Sequence, residues 1–230
     1  SNIELIGGSI PATEHMIHMV ASEGLTRDEC VDSDFNTFKR LITKIYPDGP
    51  ISIVSDTWNF WKVLKVLIPG LKAEILARNG RLVIRPDSGD PVHIVSGYRL
   101  SEIRIDYTDG EPKYFLISDD KSVKEMSDVE LIGAYEYLYT MFPGPTTKKG
   151  YKQLDTHIGL IYGDSITMER QRDILKRLEE KGFCASNLVL GIGSFTYQYV
   201  TRDTYMMAMK ATFAETADGR QKEIFKDPIT

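Results

Sequence analysis

Cysteine is nearly absent from this chain of 230 residues: Cys30 and Cys184 are the only two, far apart, and neither belongs to a Cys-x-x-Cys or Cys/His metal spacing. That argues against a disulfide framework and a structural zinc site, and both thiols read as reduced and structural. A basic excess is lacking too. The 28 Lys and Arg against 33 Asp and Glu give a net charge of -5, so there is no broad positive field to hold nucleic acid. A few placed cations could still hold a compact anion. No apolar run approaches the roughly 18 to 20 residues of a membrane span. The opening SNIELIGGSIP also lacks the basic-then-apolar order of a secretory signal. The resulting expectations are a cytoplasmic setting and no membrane partner. The composition itself, 42% hydrophobic and 27% charged, is that of a globular protein able to bury one sizeable core.

One pattern recurs: a short β-branched run, a small or acidic turn, then a helix-forming stretch. ISIVSD (51–56) precedes TWNFWKVLKVL, in which Trp58, Trp61, Leu64 and Leu67 recur at helical spacing, and RLVIRPDSGDP (81–91) leads into VHIVSGY. HIGLIYGD (157–164) leads into SITMERQRDILKRLEEKG, with Ile166, Ile174, Leu175 and Leu178 on one stripe and Gly182 as C-cap; NLVLGIGS (187–194) closes the set. These runs are apolar throughout rather than alternating, the signature of parallel strands covered on both faces. Two strand-to-strand intervals of about thirty residues suit βα units. The pattern predicts a parallel α/β architecture. A closed or partial barrel is preferred because the polar punctuation falls at strand C-terminal ends, although an open doubly wound sheet shares that polarity.

Residues 99–152 separate the second and third runs and read as an insertion on a single domain spanning 1–230. Within them IRIDYTDGEPKYFLIS predicts a β-hairpin around Asp109-Gly110, MSDVELIGAYEYLYTMF one helix, and PGPTTKKG a loop. A further hairpin is predicted in MMAMKATFAETADGRQKEIFKDP, turning at Asp218-Gly219.

In a parallel sheet the strand ends share one rim. It would carry Ser55 and Asp56; Arg85, Asp87 and Ser88; Gly163, Asp164 and Ser165; and Gly191, Gly193 and Ser194. Helix N-termini offer N–H groups to phosphate oxygens, carboxylates accept from ribose hydroxyls, and a guanidinium binds phosphate bidentately. A sugar phosphate fits that set. Asp56 and Ser165 fit simple helix N-caps equally well, and GIGS alone is a weak signal, whereas Arg85, Asp87 and Asp90 cluster more charge than capping needs. In GGSIPATEHMIHMV (7–20), Ala12 or Thr13 would open a helix with Glu14 and His15 in its first turn and His18 one turn on. A lone helical histidine is more often structural than catalytic, yet an imidazole can serve as general base or nucleophile. Arg202 and Lys210 can bind phosphate or pair with the surplus acids. His93 and His157 read as core or surface residues.

SIPATEH, VSDT, IRPDSGDP, GYK, IYGDS, NLVLGIGS, TRD and FKDP occur in an order, and over a span, that together resemble the nicotinamide-using type II phosphoribosyltransferases. The resemblance implies an incomplete TIM-like α/β barrel and a homodimer in the full-length form. It implies transfer of phosphoribosyl from phosphoribosyl pyrophosphate to nicotinamide in NAD salvage, with Mg2+ and with stimulation by ATP, which phosphorylates His15. It further implies that Arg85 and Asp87 hold pyrophosphate and ribose, with Asp87 also the Mg2+-side carboxylate, and that Gly163 and Asp164 contact ribose. Arg202 would hold the nucleotide 5'-phosphate with Lys210 beside it, and Ser9, Ser55, Gly193 and Ser194 would join the substrate-binding rim. Asn59, where the family has aspartate, and Ser194, where it has glycine, depart from the pattern. The family's ring-stacking and amide-selecting residues lie before residue 1 and its tail lies after FKDP, so a shortened chain is expected. A nicotinate-using relative and a phosphate-binding module without catalysis stay open.

Overall fold

In chain order the helices are α1 (His15–Ala21), α2 (Arg27–Arg40), α3 (Phe60–Lys62), α4 (Ile68–Gly70), α5 (Lys72–Leu76), α6 (Pro91–Ser96), α7 (Asp128–Ile132), α8 (Ala134–Met141) and α9 (Met168–Glu180). The strands are β1 (Ile51–Val54), β2 (Leu82–Arg85), β3 (Arg104–Asp106), β4 (Lys113–Ile117), β5 (Val123–Met126), β6 (Pro143–Thr146), β7 (Lys152–Leu154), β8 (Ile158–Tyr162), β9 (Leu188–Leu190), β10 (Phe213–Glu215) and β11 (Gln221–Glu223). This computed structural model describes residues 10–22, 25–107, 110–117, 121–163, 165–191, 200, 202–207, 212–215 and 217–224.

The four apolar runs form one parallel sheet whose spatial order, β1-β2-β8-β9, follows the chain. Val54 pairs with Arg85, Ile84 with Leu160, and Tyr162 with Leu190. The strand C-termini therefore finish level, and whatever follows each strand is delivered to a common rim. Ile51, Ile53, Leu82, Ile84, Ile158 and Leu160 are fully buried, each stabilising the fold by roughly 1.5–3 kcal/mol. Trp58, Trp61, Leu64 and Leu67 are buried in the core, as their spacing predicts, and so are Ile174 and Leu178 of α9. Leu175, expected on the same stripe, is 39% exposed. Val189 is 53% exposed, because β9 is the last strand of the described sheet and has a neighbour on one side only.

Three local expectations are revised. The first helix begins at His15 rather than at Ala12 or Thr13, because residues 11–13 run alongside β1. The Thr13 amide donates to Ser52 O (3.0 Å), Ser52 N donates to Pro11 O (2.9 Å), and the Thr13 hydroxyl accepts from Val54 N (2.9 Å). The single helix expected over 126–142 is two, α7 and α8, broken at Gly133, whose φ is +82°. A Cβ there would fall 2.2 Å from the backbone nitrogen of Gly97, so this close crossing of two main chains requires glycine. The hairpin β3–β4 forms as predicted but gains β5 as a third antiparallel strand, and the expected loop PGPTTKKG contributes β6, which pairs with β7. The predicted C-terminal hairpin is β10–β11. Among the described residues no helix is long and apolar enough to cross a membrane.

Candidate active site at the strand ends

The rim is built from two of these strand ends and the helix that the 11–13 segment aims at them. With Thr13 fixed to β1, α1 starts next to the β1 C-terminus and brings His15 over it. His15 Nδ1 lies 3.0 Å from the Thr57 hydroxyl, and Nε2 lies 3.7 Å from Asp87 Oδ2 and 3.9 Å from Asp56 Oδ1. Thr57 and Asp56 follow β1 directly, and Asp87 follows β2.

Asp56 is completely buried. Its Oδ2 accepts a 3.0 Å hydrogen bond from the Asp87 amide, while Oδ1 has no hydrogen-bond partner. A buried carboxylate oxygen without a donor costs free energy comparable to a lost hydrogen bond or more, so this atom is placed for something the folded chain does not itself supply. Arg85 shows the same feature with opposite sign. Its Nη2 donates to Thr13 O at 2.8 Å and lies 3.5 Å from Glu14 Oε1, yet its buried Nε–H has no partner.

Gly163 closes the rim from β8. A Cβ on it would sit 3.7 Å from Asp87 Oδ1 and 4.0 Å from Arg85 Cδ, so the bare backbone leaves the carboxylate and guanidinium accessible from that side. Gly191, next along, is required for packing: a Cβ would lie 2.7 Å from Gly163 O, and its amide donates to Tyr162 O at 2.8 Å. The Tyr162 hydroxyl reaches the carbonyls of Ser88 and Gly89, each at 2.9 Å, which fixes the turn after Asp87 from below.

The structure thus brings His15, Arg85, Asp87 and Gly163 together, all four singled out from sequence. Ser55 is present but committed elsewhere. Its hydroxyl donates to Ile53 O (2.7 Å) and accepts from Arg85 N (3.3 Å), and it is buried between the strands. Asp90, grouped with Arg85 and Asp87 in the sequence, caps α6 through Val92 N (3.2 Å) and pairs with His93 (2.6 Å). Asn59 caps α3 by accepting from Lys62 N at 2.9 Å. His18 is structural, buried against Asp34 with Nδ1 to Oδ1 at 2.7 Å. Ser9, Asp164, Gly193, Ser194 and Lys210 lie outside the described residues, and for Arg202 only the backbone, at the start of a 3-10 turn, is described.

Sequence reasoning undervalued Asp56 and Thr57. Asp56 was indistinguishable from a helix cap, and only the register of β1 against β2 reveals that it holds the Asp87 amide. The available signal was the run Ser55-Asp56-Thr57 at a strand end facing another acidic strand end.

As a chemical unit the rim offers an imidazole between a hydroxyl and two carboxylates, and a guanidinium with a spare donor. Groups of three or more His, Cys, Asp and Glu able to cage a metal ion are absent among the described residues. A hard cation such as Mg2+, however, commonly binds one or two carboxylates and takes its other ligands from substrate phosphates and water. The orphaned Asp56 Oδ1 beside Asp87 fits that donor set.

Across residues 1–230 the chain matches the model of the nicotinate phosphoribosyltransferase (NAPRTase) family. It is 43% identical over 232 aligned residues to the nicotinamide phosphoribosyltransferase of Acinetobacter baylyi, covering 98% of this chain and 40% of that protein. Similar matches are found with nicotinamide phosphoribosyltransferases of Mycoplasma pneumoniae (34%) and Mycoplasma genitalium (35%), covering 98% of this chain and 44% of each relative. The chain thus spans less than half the length of the curated relatives it matches.

Proposed function

The chain belongs to the nicotinate phosphoribosyltransferase family, and from that premise we propose that the protein carrying it makes nicotinamide mononucleotide from nicotinamide and phosphoribosyl pyrophosphate. The pyridine nitrogen would attack C1 of the ribose, the C1–oxygen bond would break, and its electron pair would leave with pyrophosphate. The observation that carries this reading is the convergence of His15, Arg85, Asp56 and Asp87 on one rim, with an unpartnered acceptor on Asp56 and an unpartnered donor on Arg85. Nicotinamide is preferred over nicotinate because the relatives aligned above carry nicotinamide in their names.

Each side chain has work in this chemistry. Arg85 Nε–H can donate to a pyrophosphate oxygen as negative charge develops there. Asp87 can accept from ribose hydroxyls, with Gly163 admitting the sugar edge. Asp56 and Asp87 would hold Mg2+, which supplies charge neutralisation for the leaving group. The cofactor set of the reading is Mg2+ and ATP. In the tautomer whose Nδ1–H is donated to Thr57, 3.0 Å away, His15 keeps a lone pair on Nε2. That nitrogen can take the γ-phosphoryl of ATP, an N–P bond forming as the P–O bond breaks and ADP leaves.

The rest of the reading follows the family. The singly wound order β1-β2-β8-β9 supports an arc of an incomplete barrel, since doubly wound sheets reverse their strand order. Residues 99–152 are an insertion between β2 and β8, and the full-length form is a homodimer. Two free cysteines agree with action in the reducing cytoplasm.

The test is direct. The protein is supplied with phosphoribosyl pyrophosphate, Mg2+ and either base, with and without ATP, and mononucleotide is measured. Product from nicotinamide is expected, with ATP stimulation that a His15→Asn variant loses while retaining substrate binding. Product from nicotinate alone would reassign the substrate, and mononucleotide binding without turnover of either base would reduce the protein to a phosphate-binding module.

A further inference from the structure

At the opposite end of the sheet from the rim, Pro50, Arg81 and His157 stand immediately before β1, β2 and β8. Together with Arg78, Asn79 and Thr156 they line an open cleft of about 380 Å3. This is within the range of small-ligand sites. It is separated from Arg85 by the length of β2, about 13 Å at 3.3 Å per residue.

Two guanidinium groups dominate it, and neither forms an ion pair among the described residues. Arg78 is only 5% exposed. It donates to the carbonyls of Ile42, Tyr46 and Gly49, which ties the segment after α2 to the residues leading into β1, but its buried Nε–H has no partner. Neutral carbonyls satisfy N–H groups without cancelling charge, and a buried cation without a counter-ion is costly. Burial holds the Arg78 pKa below its ordinary value, with Asp48 near enough to oppose that shift but forming no ion pair. Arg81 Nε donates to Thr156 O at 3.0 Å. The one carboxylate against the histidine is already used: Asp155 Oδ1 holds both the amide and Nδ1 of His157, at 2.8 and 2.6 Å.

In a chain of net charge -5, a polar cleft with two guanidinium groups that form no ion pair among the described residues has a specific electrostatic demand. We infer that this cleft is a second anion site, distinct from the rim, which takes a phosphate group, either free or at the end of a small ester. Arg81 contacts the anion, and Arg78 sets the potential from beneath it. This holds whether or not the rim performs the transfer proposed above.

The test is NMR titration of the 15N-labelled chain with inorganic phosphate and, separately, with a nucleoside monophosphate. The expected result is saturable shifts at Gly80, Arg81 and His157, weakened roughly tenfold by Arg81→Gln, the loss of one charge-assisted contact, and unchanged by Arg85→Gln. Shifts with both ligands assign the site to the phosphate group itself; shifts with one alone assign it to the free ion or the ester. The inference is overturned if shifts appear only around Arg85 and Gly163, if those at Gly80 survive Arg81→Gln unchanged, or if none appears at about 10 mM anion.

Discussion

The amide of Asp87 donates a 3.0 Å hydrogen bond to Asp56 Oδ2, so the residue after one strand holds the residue after its neighbour in place. The same carboxylate leaves its other oxygen buried and without a hydrogen-bond partner. One group therefore fixes the rim's shape and offers an acceptor without a donor, and a substitution can separate the two. Asp56→Asn keeps an acceptor for Asp87 N–H but removes the charge. Mononucleotide formation should fall on the order of 100-fold, as when a preorganised electrostatic group is lost. The melting temperature should hold or rise, because a buried carboxylate with one oxygen lacking a hydrogen bond is removed. Retained activity in this variant would remove Asp56 from the chemistry.

Thr57→Val tests the histidine. The swap keeps the shape and deletes the hydroxyl 3.0 Å from His15 Nδ1. A hydrogen bond of about 1 kcal/mol biases the tautomers about fivefold, so 15N chemical shifts of the His15 ring should show the Nδ1–H form losing roughly that preference. ATP stimulation should weaken in proportion. An unchanged tautomer ratio would mean that the two carboxylates, not Thr57, orient the ring.

Much of this arrangement was legible in the sequence, and what was not has physical causes. The β-branched runs ending in Asp56, Arg85 and Gly163 announced parallel strands, because only doubly covered strands are apolar on both faces. Arg85 and Asp87 stood out as more charge than capping needs, and His15, which spacing alone would have left structural, was singled out by the resemblance; the fold brings the three together. The start of α1 was not legible, since the pairing of residues 11–13 with β1 is a long-range contact that overrides helix propensity. Ser55 was misleading for a related reason: a hydroxyl at a strand end looks identical whether it faces substrate or, as here, bonds the next strand. β5, in which Val123, Lys124 and Glu125 are exposed and Met126 is buried, pairs with β4 alone.

The two rim glycines should respond differently to the same substitution. Gly191→Ala would place a Cβ 2.7 Å from Gly163 O and 2.9 Å from Gly163 Cα, a backbone clash that overpacking data put at about 1–3 kcal/mol. Gly163→Ala meets only Asp87 Oδ1 at 3.7 Å and Arg85 Cδ at 4.0 Å. It should fold normally while raising KM for phosphoribosyl pyrophosphate by narrowing access to those two side chains. Denaturant melts and steady-state kinetics on both variants check the contrast, and equal stability losses would contradict it.

The last prediction concerns acid stability away from the rim. Arg177 of α9 is 5% exposed and grips Glu102 through both terminal nitrogens, with Nη1 to Oε2 at 2.8 Å. It also donates to Asp173 Oδ2 at 3.1 Å. The Arg177 hydrogen bonds hold the Glu102 carboxyl at about 2, against a partial burial that pushes the other way. A carboxyl whose pKa is lower folded than unfolded contributes its stability above its ordinary value near 4.5 and loses it as pH falls from there towards 2. Glu102→Gln should therefore be destabilised relative to the parent at pH 7, and the gap in melting temperature should close progressively between about pH 4.5 and pH 2. A gap that stays constant across that window would mean the variant suffers from lost packing or misplaced hydrogen bonds, and the link between this ion pair and acid unfolding would not stand.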